Sequence, residues 1–147
     1  MLSGLTPGGL VVAVEPGSYA RSILRMALWL RGARNVIVVA AGLGDKAGAA
    51  MIRTPIKRPG DMGYGPATLF ALTREAVAEP VAIVTLDDLV RTLNLPALHL
   101  IKADIEGSEA AMVAGAIETI EQHRPAILLE TERSSAAARG ILPFGAR

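Results

Sequence analysis

His99-Leu100-Ile101-Lys102-Ala103-Asp104-Ile105-Glu106-Gly107-Ser108-Glu109 opens inside an apolar run, Leu98 to Ile101, of the kind shown by a strand buried on both faces. The run breaks into charge at Lys102, Asp104 and Glu106, and Gly107 is the first backbone-permissive position. A helical pattern follows, with Val113, Ala116, Ile117 and Ile120 spaced to share one face. A strand that ends in carboxylates and turns into a helix describes the ligand-facing end of an open α/β sheet. There the carboxyl ends of strands and the amino ends of helices meet in one crevice.

The same alternation extends in both directions. Residues 1–9 are Gly/Pro-rich and turn-like. Leu10 to Val14 reads as a buried strand ended by Glu15-Pro16-Gly17, and Ser18 is placed to cap a helix. Tyr19, Ile23, Met26, Ala27 and Leu30 give that helix an apolar stripe, and Gly32 supplies the stop. Val36 to Ala41 is a second, β-branched strand, and residues 42–48 read as a loop. Ala49 to Ile52 suits a short strand, and Pro55 to Pro66 is irregular. Val81 to Leu86 reads as an edge or crossing strand, with a short helix from Asp87 to Leu93 after it. The central strand spans 98–104, one helix spans 108–123, Ala126 to Leu129 is the next strand, and residues 133–147 form a tail without a clear element. Strands alternating with helices imply an α/β fold with a mostly parallel open sheet and helices on both faces. Three strands end in acid, at Glu15, Asp104 and Glu130. That suits a ligand bearing hydroxyls and a positive charge.

A chain of 147 residues is long enough for one domain with a real core. Aromatics make up 3% of it and the net charge is +1, which leaves neither a stacking surface nor an electrostatic footprint for nucleic acid. There is no cysteine, so thiol chemistry is excluded. No apolar run approaches the roughly 20 residues needed to span a bilayer, and Met1 to Leu10 does not have the pattern of a signal peptide. The reading is cytoplasmic.

Several residues are candidates for chemistry. A carboxylate at Glu15 can accept two hydrogen bonds from a ribose diol, or serve simply as a solvated strand end. Gly42-Leu43-Gly44-Asp45-Lys46-Ala47-Gly48 does not fit the dinucleotide fingerprint: its glycine spacing is wrong, and Asp45 sits where a pyrophosphate would lie. Asp45 can instead accept a bond from an adenine amino group, or the stretch is a Gly/Asp turn. Asp87 and Asp88 read as capping and charging the amino end of their own short helix. Alternation puts Lys102, Asp104 and Glu106 on one side of an extended strand. There they can orient a hydroxyl, act as general base or hold a cation, or else merely reach water. His99 and His123 have no partner at metal-ligand spacing, so no metal site is expected.

Val11-Val12-Ala13-Val14-Glu15-Pro16, Asp45, Thr85-Leu86-Asp87-Asp88-Leu89, the stretch from Ile101 to Glu109, Gly115-Ala116 and Leu129-Glu130 together resemble the FkbM-type methyltransferases over roughly residues 10–132. The resemblance implies a Rossmann-like fold, S-adenosylmethionine as cofactor, and methyl transfer to a hydroxyl oxygen of a small molecule or glycan. It also implies that Glu15 binds the ribose hydroxyls, that Asp45 lies near the adenine, that Asp104 sits by the methionine moiety or the acceptor, and that Gly44 belongs with them to the cofactor-binding set. Asp104, Glu106 and Lys102 are then the catalytic candidates. In that family a first strand and a glycine-rich loop precede the Glu-Pro strand, and further strands follow the Leu129-Glu130 strand. Only nine residues precede Leu10, and Ser3 to Gly9 do not supply the loop. The expectation is therefore a single partial domain over 1–147, truncated at the amino and carboxyl ends. Three alternatives are open: the true protein begins upstream, the chain is a degenerate inactive remnant or non-enzymatic binding domain, or the two strands flanking the gap pair directly.

Overall fold

A computed structural model describes residues 8–55, 76–105 and 107–130. Its elements are β1 (Val11–Val14), α1 (Ser18–Leu30), β2 (Val36–Val39), β3 (Gly42–Leu43), β4 (Gly48–Pro55), β5 (Ala76–Val84), α2 (Leu86–Thr92), β6 (Leu100–Ala103), α3 (Glu109–Ala114), α4 (Ile117–His123) and β7 (Ala126–Leu129). The fold is α/β and mostly parallel: β1 pairs with β2, β3 with β5 and β6 with β7 in parallel, and β4 with β5 antiparallel. The expectations for residues 1–7, for 56–75, for Glu106 and for the tail lie outside the described residues.

The strands form three small sheets rather than one continuous sheet. Among the described residues β1 bonds only to β2 and β6 only to β7, so β1 and β6 do not pair directly. They meet instead through side chains. Ile101 and Ala103 of β6 pack with Leu86, Leu89 and Val90 of α2 and with Met112 and Ala116, and Val12 and Val14 of β1 lie against the same cluster. The strand read as buried on both faces is buried on one, since Leu100 and Lys102 are exposed while Ile101 and Ala103 are buried. A covered face and an open face make residues alternate.

Four further expectations are corrected. Ser18 does not cap α1; Gly17 is the N-cap and makes no side-chain bond. The carboxylate of Glu79, from β5, accepts the Ser18 backbone N–H at 2.9 Å instead. The helix does stop at Gly32, whose φ is +61°. Gly32 N–H bonds Trp29 and Ala33 N–H bonds Leu28, a paired arrangement that satisfies the last carbonyls. Second, the stripe of Tyr19, Ile23, Met26 and Leu30 faces outward, because Leu28 is buried, and Leu24 and Ala27 half-buried, on the other side. Third, the strand placed at 81–86 begins at Ala76, ends at Val84 and is the middle strand of its sheet, with eight register pairs to a β4 longer than expected.

Fourth, the helix placed at 108–123 is two helices. It breaks at Gly115-Ala116 because a second anchor restarts it. The Asp87 carboxylate accepts the N–H of Thr119 at 2.8 Å and of Glu118 at 3.3 Å, so it caps α4 rather than its own helix. Thr85 is the N-cap of α2, its hydroxyl accepting Asp88 N–H at 3.0 Å. Asp88 bonds Arg91, which also reaches Glu118 and so links α2 to α4. Ile117, expected inward, is exposed, while Met112, Ala116 and Thr119 are buried.

The Glu79 carboxyl titrates below its ordinary value because Ser18 donates to it, through the side chain first and then the backbone. Its contribution to stability is therefore complete above the ordinary carboxylate range and is lost as the pH falls through the lower folded-state value. Thermal melts should accordingly drop in midpoint below about pH 4. Glu79→Gln should lower the midpoint at neutral pH and flatten that acid limb. An identical acid limb in the variant would show that the Glu79–Ser18 bonds do not couple β5 to α1.

Candidate functional site

Glu15 follows β1, and its backbone N–H still bonds Val39 of β2 at 3.0 Å, so the strand pairing itself sets where this carboxylate emerges. Oε1 accepts the N–H of Gly17 at 2.9 Å. A side chain at Gly17 would come within 3.1 Å of that oxygen and 3.6 Å of Ile52 on β4. Below it, Arg21 Nη1 donates to the carbonyls of Glu15 and Pro16 at 3.0 and 2.7 Å, pinning the strand-to-helix turn. Glu15 is thus half-buried and held by one oxygen.

Lys102 and Asp104 come together as expected. Both are exposed at the carboxyl end of β6, with Lys102 Nζ 3.7 Å from Asp104 Oδ2. In water such a pair contributes roughly 0–1 kcal/mol, so it orients the carboxylate more than it stabilises the fold. Behind it the turn is fixed by Glu109, a residue whose role the sequence did not disclose. Its buried carboxylate takes the Gly107 N–H at 2.9 Å through Oε2 and 3.2 Å through Oε1, while Gly107 sits at φ +95°. An acid two residues after a glycine in a strand-to-helix turn is the legible signal for such a clamp.

Gly44 is buried and Asp45 exposed. The glycines here answer to packing: a Cβ on Gly42 would lie 2.9 Å from Ile83 Cδ1 and one on Gly44 2.8 Å from Ile83 Cγ2. That tight fit lets two residues of the expected loop, Gly42 and Leu43, become β3. Gly115 closes the other side. A Cβ there would run into the Gly44 carbonyl oxygen and lie 3.3 Å from the Asp45 Cα, and the Gly115 carbonyl accepts Asp87 N–H at 3.0 Å. The helix break, the Asp45 loop and the start of α2 therefore share one point of backbone contact.

Glu15, Asp45 and Asp104 make no hydrogen bond or ion pair with one another among the described residues. Among the described residues, no three His, Asp or Glu side chains gather as metal ligands. The set is rich in acceptors, and two of its members follow the carboxyl ends of parallel strands, where open α/β sheets bind ligands.

These features define an α/β domain of Rossmann-like type. The chain belongs to the FkbM methyltransferase domain family: the model for "Methyltransferase FkbM domain" matches residues 4–142. It is similar in fold to the crystal structure of methyltransferase FkbM from Methylobacillus flagellatus KT, at 24% identity and a TM-score of 0.52, over 87% of this chain and 28% of that one. The chain thus spans under a third of that protein's length. No curated protein matches it.

Because the obstacle at Gly115 is backbone, it cannot swing away as a side chain can. Gly115→Ala should destabilise the domain by about 1–3 kcal/mol in urea unfolding, the usual cost of overpacking. Gly48→Ala, where a Cβ meets nothing within 4 Å, should be close to neutral. Equal midpoints for the two variants would dispose of the contact as a constraint.

Proposed function

We propose that this chain is the cofactor-binding part of an S-adenosylmethionine-dependent methyltransferase that transfers methyl to a hydroxyl oxygen of a small molecule or glycan. Membership of the FkbM family supports methyl transfer. The observation that carries the site is the pairing of Lys102 with Asp104 just past β6, together with Glu15 just past β1. The acceptor-rich set fits the cofactor's chemistry, since a ribose diol, an adenine amino group and an ammonium all donate hydrogen bonds. Glu15, through the oxygen not engaged by Gly17, holds the ribose hydroxyls. Gly44 and Asp45 flank the adenine, and Asp104 lies by the methionine moiety or the acceptor.

Bound S-adenosylmethionine supplies a methyl group already activated on a sulfonium, so positioning provides most of the rate. Asp104 would orient the acceptor hydroxyl and accept its proton. Lys102 holds that carboxylate in place, and Glu106 is the second carboxylate of the set. The negative strand ends favour the sulfonium over its neutral product.

Calorimetric titration with S-adenosylhomocysteine is the direct test. Binding should be micromolar, and Glu15→Ala should weaken it about tenfold or more by removing charge-assisted bonds to the diol. Asp104→Asn should leave the melt unchanged while abolishing transfer to a hydroxyl acceptor. Binding untouched by Glu15→Ala would remove the ribose assignment, and undiminished turnover in Asp104→Asn would remove the base.

A further inference from the structure

The turn that carries the chain from β1 into α1 has a partner for every backbone polar group from the Glu15 N–H to the Ser18 N–H. Glu15 N–H goes to Val39. The carbonyls of Glu15 and Pro16 accept Arg21 Nη1, the Gly17 carbonyl accepts the Arg21 N–H at 2.9 Å, and the Gly17 N–H goes to Glu15 Oε1. The Ser18 N–H goes to the carboxylate of Glu79. Only two of these partners lie outside residues 15–21. Val39 fixes the strand end of the turn, and Glu79, 61 residues from Ser18 in the chain, fixes the helix end.

Glu79 stands directly opposite Ile52 in the antiparallel register of β4 and β5, so the two side chains leave the ribbon on one face. Ile52 and Glu15 converge on one point beside Gly17: a Cβ there would lie 3.6 Å from Ile52 Cδ1 and 3.1 Å from Glu15 Oε1. The ribbon thus holds the turn twice, by a charge-assisted bond at Ser18 and by an apolar side chain at Gly17. The Gly17 N–H in turn holds Glu15 Oε1, so a shift of the turn moves the carboxylate with it. A carboxylate that must meet two vicinal hydroxyls tolerates little displacement, since a site loosened by about 1 Å loses its working geometry. Ser18 is exposed, so water takes the place of the acceptor where Glu79 is removed, and what changes is where the turn sits.

We infer that Glu79, supported by Ile52, is a positioning residue for ribose recognition and acts through Glu15. This rests on the reading of Glu15 as the carboxylate that binds the ribose hydroxyls. The β4–β5 ribbon thereby sets the affinity for the ribose end of the ligand through the turn it braces. A brace for the fold alone would change the melting midpoint and leave the affinity of folded molecules as it was; a positioning residue changes that affinity.

The experiment titrates S-adenosylhomocysteine calorimetrically into the whole chain and its variants, at a temperature where each is folded. Glu79→Ala should weaken binding about fivefold or more, and Glu79→Gln, which still offers the Ser18 N–H an acceptor, should recover most of the loss. Ile52→Ala should weaken binding in the same direction, and it is read in place of Glu79→Ala if that variant does not fold. Met51→Ser, on the opposite face of β4, should bind like the parent. The double variant Glu15→Ala with Glu79→Ala should bind no more weakly than Glu15→Ala alone, because the position of an absent carboxylate no longer matters. Parent-like affinity in Glu79→Ala would overturn the inference, while a loss in Glu15→Ala would still uphold the ribose assignment. Losses that add in the double variant would overturn the route through Glu15. No binding by the parent chain would overturn the inference together with the reading beneath it.

Discussion

The backbone of Gly115 lies directly against the carbonyl of Gly44, and its own carbonyl takes the N–H of Asp87. Through that contact the β3–β5–β4 sheet, the start of α2 and the break between α3 and α4 become one body. Without a continuous sheet to align the strands, the assembly relies on such local clamps and on the cluster around Met112, whose side chain is fully buried. Interiors are packed tightly enough that one added methyl at a backbone–backbone contact must move a whole segment. The segment it would move here carries Asp45.

Six of the acidic residues divide into two populations by what they touch. Glu15, Glu79, Asp87 and Glu109 each accept backbone N–H groups at the start of a helix or in the turn before one. Donors left over at helix starts have no partner within the helix, and a carboxylate satisfies them while matching the helix dipole. Asp45 and Asp104 are exposed and cap nothing among the described residues. Glu15 belongs partly to both groups, because one oxygen holds Gly17 in the turn it shares with Arg21 while the other remains available for a ligand.

Asp87 and Glu79 also show how charge ties together elements distant in sequence. Each reaches across the fold to a helix that is not its neighbour in the chain, α4 in one case and α1 in the other. The long antiparallel ribbon of β4 and β5 is thereby fastened beside Glu15, at the edge of the candidate site. A residue that looks from its surroundings like an ordinary surface acid thus fixes where a whole ribbon lies.

Period and punctuation alone were enough to read the strands at 10–14, 36–41 and 126–129, the stop at Gly32 and the turn from strand to carboxylates to helix after Ile101, because these depend on residues within one or two turns of each other. The Glu-Pro and Lys-x-Asp-x-Glu-Gly motifs were likewise legible, and with them the family. What escaped depends on contacts distant in sequence. The apolar stripe of α1 was legible, but not that it faces outward, since that follows from Leu28 being buried and Leu24 half-buried on the other side. The split of the 108–123 helix needs Gly44 and Asp87, lying 71 and 28 residues before Gly115. The close fit of Gly42 and Gly44 against Ile83 was equally out of reach of a linear pattern. A linear pattern records which face of a helix is apolar; only the packed neighbours decide whether that face is covered, because burial belongs to the pair of surfaces and not to either one.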